Sequence, residues 1–231
     1  MSPNLIRRER PWGTSGFAAH YKQVWHVIEA EGAGCDTLYP AVTLRRLGGW
    51  PAGNANRADF DRLTLPAGRP AILRPQLMPD ERLGPTLAGV FAGRPELWRD
   101  HIDQHVFFWV SEDRRDRFIA ACVRSRGRGV AGPGSAPVVI AIETAALLAA
   151  HSAVTFFSRI NSGSTIRGGA RARRDEQTLR PVEDWRGERV VELAIRAPVP
   201  LEPVAGRAGG SSGASGGVSK YVNDADRLTC G

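Results

Sequence analysis

Lysine is almost missing from this chain: of 31 basic residues, all but Lys22 and Lys220 are arginine. Cysteine is scarce too. Cys35, Cys122 and Cys230 are too few and too scattered for a disulfide scaffold or a zinc knuckle. No apolar run approaches the ~18 residues of a membrane span. The longest, PVVIAIETAALLAA from Pro137 to Ala150, is interrupted by Glu143 and reads as a buried strand entering a helix. The N-terminal MSPNLIRRERPWG has charges with no apolar core behind them, which argues against a classical signal peptide and for a cytoplasmic protein.

Several catalytic signatures are also missing. There is no Walker sequence ending in Gly-Lys-Ser/Thr, and no strand, glycine turn and helix with a Rossmann fingerprint. No Gly-x-Ser-x-Gly elbow stands at a strand-to-helix turn. His20, His26, His101, His105 and His151 form no tight metal pair with an acid. His101 and His105 are four apart, but His105 opens a strand, which spoils a shared helical face.

What is present fits one folded domain. The 231 residues, 42% apolar and 24% charged, suffice for a single sizeable core. The net charge of +7 suits polyanions such as a nucleic acid or the pyrophosphate of a dinucleotide; a solvated arginine surface explains it equally. Residues 1–15 read as a loose arm and 16–204 as a single domain. Residues 205–231 read as a Gly/Ser-rich tail that cannot bury enough surface to order.

Within the domain, KQVWHVI (Lys22 to Ile28), HVFFWV (His105 to Val110), Val138 to Ile142, Ala153 to Phe157 and ERVVELAI (Glu188 to Ile195) read as strands. Helical periodicity runs over Asp80 to Ala92, where Pro85 limits it, and over Glu96 to Gln104. After HVFFWV, Ser111 is an N-cap candidate, with Glu112 and Asp113 in the first turn of a helix to about Val123. Residues 48–70 read as a long excursion and Asn161 to Asp184 as a loop with a basic cluster, Arg167, Arg171, Arg173 and Arg174.

Four places carry candidate chemistry. Glu192 interrupts an apolar strand and shares a face with Val190, Ala194 and Arg196; it is either solvated or in a cleft, and if buried it needs hydrogen-bond donors. His26 lies between Trp25 and Val27, either as a ligand-orienting imidazole or as a satisfied core residue. His105, Phe107 and Trp109 form an aromatic row, which is packing or a wall for a flat ring. In FFSRINSGSTIRGG, Ser162, Gly163, Ser164 and Thr165 offer N–H groups and hydroxyls between Arg159 and Arg167, as an anion cradle or as an ordinary Ser-Gly loop.

Taken in order, VWHVIEA, HVFFWVSEDR, SRINSGSTI and VVELAI resemble an uncharacterised bacterial domain family over about Tyr21 to Val204. That family in turn distantly resembles the ADP-ribosyltransferase fold. The resemblance implies a mixed α/β (α+β) domain with a split β-sheet core and flanking helices. It implies NAD as the molecule cleaved, at its nicotinamide–ribose bond, and leaves the acceptor unspecified, with a nucleic acid or a protein as the candidates. By the same resemblance, Glu192 is the catalytic carboxylate and His26 contacts the ribose and amide side. His105, Phe107 and Trp109 border the nicotinamide. With NAD so placed, the anion cradle read above meets the pyrophosphate through Arg159 or Arg167, and Asn161, Ser162, Ser164 and Thr165 complete the expected cofactor-binding set. EAEGAGCDTLYPAV replaces the relatives' Asn-containing helix and His-Gly-Leu turn, which alters the His26 side. A non-catalytic interaction protein or a basic nucleic-acid-binding domain is the alternative.

Overall fold

The apolar runs with period two assemble into a central sheet, and the segments between them cover it. The computed structural model describes residues 12–29, 36–50, 60–76, 78–126, 137–165, 172–201 and 220–222. The first half holds α1 (Gly13–His20), β1 (Gln23–Glu29), β2 (Thr37–Leu38), α2 (Ala41–Leu47), β3 (Asp61–Thr64) and β4 (Pro70–Leu73). Next come α3 (Asp80–Leu83), α4 (Pro95–Asp103), β5 (Val106–Trp109) and α5 (Glu112–Arg126). The remainder is β6 (Pro137–Glu143), α6 (Thr144–His151), β7 (Thr155–Ser158), β8 (Arg180–Pro181), β9 (Glu192–Ile195), β10 (Val199–Pro200) and β11 (Lys220–Val222).

Seven strands form one sheet in the order β11-β6-β1-β5-β9-β7-β8, and every neighbouring pair is antiparallel. The fold is therefore mixed α/β. Among the described residues no helix is long and apolar enough to cross a membrane.

Register decides which side chains meet. Trp25 stands opposite Trp109, Trp109 opposite Glu192, and Glu192 opposite Ser158, so one row crosses four strands on one face. The neighbours of that row point the other way. Val24, Phe108, Leu193 and Phe157 join Phe17 of α1, Leu147 and Leu148 of α6, Val182 and Trp185 in the largest core cluster. Burying each such side chain contributes about 1.5–3 kcal/mol relative to leaving it exposed.

The face carrying Glu192 has its own cover. Met78, Leu83, Leu87, Phe91, Trp98 and Ile102 form a second cluster, against which Phe107 packs. Helix α4 can supply it because Pro95 opens the helix and Trp98 and Ile102, four apart, share a buried stripe. Helix α5 lies against β1 and β5. It is tied there by Arg74, which pairs with buried Glu29 at 2.6 Å, donates to Cys122 Sγ at 2.8 Å and lies over the Phe118 ring.

Several segments depart from the sequence reading. Helix α1 begins inside the arm expected over residues 1–15: Gly13 takes φ +64°, and its N–H donates to the Trp185 carbonyl at 3.0 Å. The excursion expected over 48–70 contains the β3–β4 hairpin, whose Leu63, Leu65, Ala71 and Leu73 pack with α2. Strand β9 is shorter than ERVVELAI: the Val190 N–H turns to the Tyr21 hydroxyl and the Val191 N–H to the Ser158 carbonyl. In the tail expected to stay disordered, Lys220–Val222 pair with β6; its other residues lie outside the described set.

Candidate functional site

Glu192 opens β9 between Trp109 and Ser158, and the residue is 5% exposed. A lone charge there would be costly. The donors come from the segment after β7: Ser162 donates its N–H to Glu192 Oε2 at 3.0 Å and its hydroxyl to the same oxygen at 2.8 Å. Glu192 Oε1 takes no hydrogen bond among the described residues. Burial pushes the Glu192 carboxyl up to about 7, although the two Ser162 bonds and the positive charges of Arg174 and Arg114 pull the other way.

The loop that presents Ser162 is itself held from three sides. Arg174 is fully buried, and its guanidinium donates to the carbonyls of Asn161 at 3.3 Å and Ser164 at 2.7 Å. It also donates to Thr86 Oγ1 at 3.1 Å and to the Ala172 carbonyl at 2.8 Å. Trp98, likewise buried, donates its indole N–H to the Ser162 carbonyl at 3.3 Å. The backbone completes the lacing: Ala88 N–H donates to Arg174 O and Arg174 N–H to Thr86 O.

These contacts revise the reading of the Ser-Gly segment. The amide and hydroxyl of Ser162, expected to face a ligand's phosphate, are satisfied by the chain's own carboxylate. The carbonyls of Asn161 and Ser164 face a buried guanidinium, and the Thr165 side chain is buried. Arg159 is exposed, directly after β7. Arg167 lies outside the described residues.

The aromatic row divides. Trp109 is half-buried and directly opposite Glu192, with its ring 5.4 Å from Phe118. His105 shares that face, but four residues along a strand is about 13 Å. It donates Nδ1–H to the His101 carbonyl at 2.9 Å and packs on Phe156 and Phe107. Burial, then the neighbouring His101, holds the His105 imidazole down at about 4. His105 therefore packs at the far end of the face, whereas Phe107, opposite Ala194, stands between it and the Trp109–Glu192 pair and packs against the second cluster.

His26 does not join Glu192 either. Its neighbour Trp25 shares the Glu192 face, so His26 points to the opposite one, where its ring lies 5.6 Å from that of Phe108. Strands β1 and β5 are in register only at Trp25 and Trp109. Where that ladder stops, His26 Nδ1–H reaches the Phe107 carbonyl at 2.8 Å and ties the two strands. A carbonyl only accepts, so the proton sits on Nδ1; burial lowers this imidazole to about 4 and keeps it neutral. The convergence of His26 and Glu192 implied by the resemblance is not what the register gives.

Residues 22–202 match a family of unknown function, DUF7002. The chain belongs to that family. No curated protein and no solved structure matches it.

In this DUF7002 domain, sequence reasoning singled out Glu192, Trp109 and Ser162, the last as a cofactor contact and not as the partner of Glu192, and passed over Arg174, Trp98 and Thr86. Arg174 is one of four arginines in a stretch read as a loop with a basic cluster, and nothing local marks it as a buried one. Trp98 had a signal, its helical spacing from Ile102, but that spacing speaks for packing and not for the hydrogen bond to Ser162. Among the described residues no three His, Cys, Asp or Glu side chains group as metal ligands.

Proposed function

We propose that this DUF7002 domain cleaves the nicotinamide–ribose bond of NAD and transfers ADP-ribose to an acceptor nucleophile. The observation that carries the reading is the state of Glu192: one carboxylate oxygen is anchored twice by Ser162, and the other takes no hydrogen bond among the described residues. The half-buried indole of Trp109 stands directly beside it, and the charge of Arg114 on α5 reaches it.

The chemistry follows from charge. When the C–N bond breaks, its electron pair leaves with nicotinamide, neutralising the pyridinium, and positive charge develops on the ribosyl carbon and ring oxygen. A fixed carboxylate accepting from a ribose hydroxyl through Oε1 stabilises that charge, and one well-placed group of this kind contributes about 3 kcal/mol. The acceptor then attacks the ribosyl carbon and gives its proton to solvent. Trp109 supplies a flat apolar wall. Strands β1 and β5 are joined within the one seven-stranded sheet by a single pair, and the split sheet that the resemblance implies would divide at that junction. His26, on the other face, has no part in this account beyond tying the two strands.

The test is nicotinamide release from NAD by the purified chain. Glu192→Gln is expected to bind NAD nearly as the wild type does and to turn over about 100-fold more slowly. Equal turnover by the two proteins, or none by the wild type, rejects the reading.

The placement of His26 favours a second reading, a non-catalytic module in which Glu192, Ser162 and Arg174 serve only to order the loop. Heat-melting with and without NAD separates the two, because a ligand that binds only the native state raises its melting temperature.

A further inference from the structure

Resting on that reading of the site, the geometry points to Arg174 as the positioning residue of Glu192: its guanidinium fixes the carbonyls of Asn161 and Ser164, so that Ser162 between them presents both donors to one carboxylate oxygen and leaves the other for the substrate. The argument is one of directions. Two carbonyls three residues apart, both drawn onto one rigid planar fork, set the backbone between them. Trp98 takes the carbonyl of Ser162 itself. With these carbonyls held, the Ser162 amide has one orientation, and Glu192 Oε2 lies along it at 3.0 Å.

Burial of Arg174 makes a surface role untenable. It is 0% exposed in a chain with many solvated arginines, and its guanidinium makes four hydrogen bonds among the described residues, three of them to carbonyls. A buried cation is costly, and carbonyl dipoles offset only part of that cost. The charge also acts on Glu192, where it favours the ionised form. Arg174 thus sets both the orientation of the carboxylate and its readiness to carry charge, without touching substrate.

The test follows the Glu192 carboxyl carbon by NMR in protein labelled at glutamate, with the signal assigned by its loss in Glu192→Gln. Arg174→Met removes fork and charge, and Arg174→Lys keeps the charge without the fork. The Glu192 midpoint is expected to rise by about one pH unit in Arg174→Met and by less in Arg174→Lys. In parallel, kcat for nicotinamide release falls at least about tenfold in Arg174→Met while KM changes by less than about twofold. A folded Arg174→Met whose Glu192 titrates as in the wild type overturns the inference, even if its melting temperature has dropped. If Arg174→Met does not fold, Thr86→Val, which removes one anchor of the guanidinium, must raise the midpoint in the same direction; an unchanged midpoint overturns the inference. A wild type that releases no nicotinamide defeats the proposed function alone, because the titration still decides the part played by Arg174.

Discussion

Ser162 gives its amide hydrogen and its hydroxyl hydrogen to the same oxygen of Glu192, at 3.0 and 2.8 Å. A serine after one strand thereby saturates one side of a carboxylate on the adjacent strand. The Ser162 donors expected to cradle a foreign anion hold the chain's own carboxylate, and the other oxygen takes no hydrogen bond among the described residues.

Stability is expected to fall with rising pH on account of Glu192. Its folded value, about 7, lies above the ordinary 4.5, so its contribution is fully present below 4.5 and is lost as pH rises through 7. The loss is on the order of 3 kcal/mol. Melting curves of wild type and Glu192→Gln, compared at pH 5 and pH 8, check this. The mutant gains relative to the wild type at the higher pH, and parallel curves count against a buried, protonatable carboxyl. The proposed reaction needs the ionised form, so under that proposal turnover of NAD is expected to rise over the same interval.

His26 acts with the opposite sign. Its imidazole is held near 4 against an ordinary 6.5, so the stability it contributes is present above 6.5 and lost as pH falls through 4. His26→Gln, which keeps a donor for the Phe107 carbonyl, is expected to remove on the order of 3 kcal/mol of that acid sensitivity. The slope of melting temperature against pH between 6.5 and 4 reads it.

Trp98→Phe keeps an aromatic ring in the second core cluster and removes the N–H that reaches the Ser162 carbonyl. A buried carbonyl losing its donor costs about 1–3 kcal/mol. Chemical denaturation measures the stability change, and nicotinamide release at fixed pH is expected to fall as the Ser162 loop loosens. A stability loss with unaltered kcat confines Trp98 to packing.

Gly89→Ala tests the lacing between residues 84–91 and 172–178. Gly89 has φ +59°, and an added Cβ would collide with the Glu176 carboxylate, which accepts from the Val90 N–H at 2.6 Å. The substitution is expected to cost about 1–3 kcal/mol. Adding Glu176→Ala relieves the collision and leaves only the backbone strain, so a double-mutant cycle should be non-additive. Simple additivity would mean that the two residues do not meet.

The sequence and the structure agree most where burial alone dictates conformation. The HVFFWV and KQVWHVI runs are strands because alternate residues enter one core, and Glu112 and Asp113 do open a helix. Glu192 was legible as a charge out of place in an apolar strand. Its setting was not. Whether His26 and Glu192 share a face depends on how β1 is registered against β5, and one residue of shift reverses the answer. Arg174 was illegible because its identity as a buried clamp depends on carbonyls ten and thirteen residues away and on Thr86, eighty-eight residues earlier.

The two borders of the large sheet are unlike. At one, β8 is only Arg180–Pro181, and Pro181 has no amide hydrogen to offer an incoming strand. At the other, the three residues of β11 cover part of β6. Among the described residues, cross-pairing between copies is thus opposed beside β7 by Pro181 and beside β6 by the three residues of β11. Shortening the chain to residue 201 would uncover Val139 to Ala141 as a bare apolar edge, and self-association should start from that border.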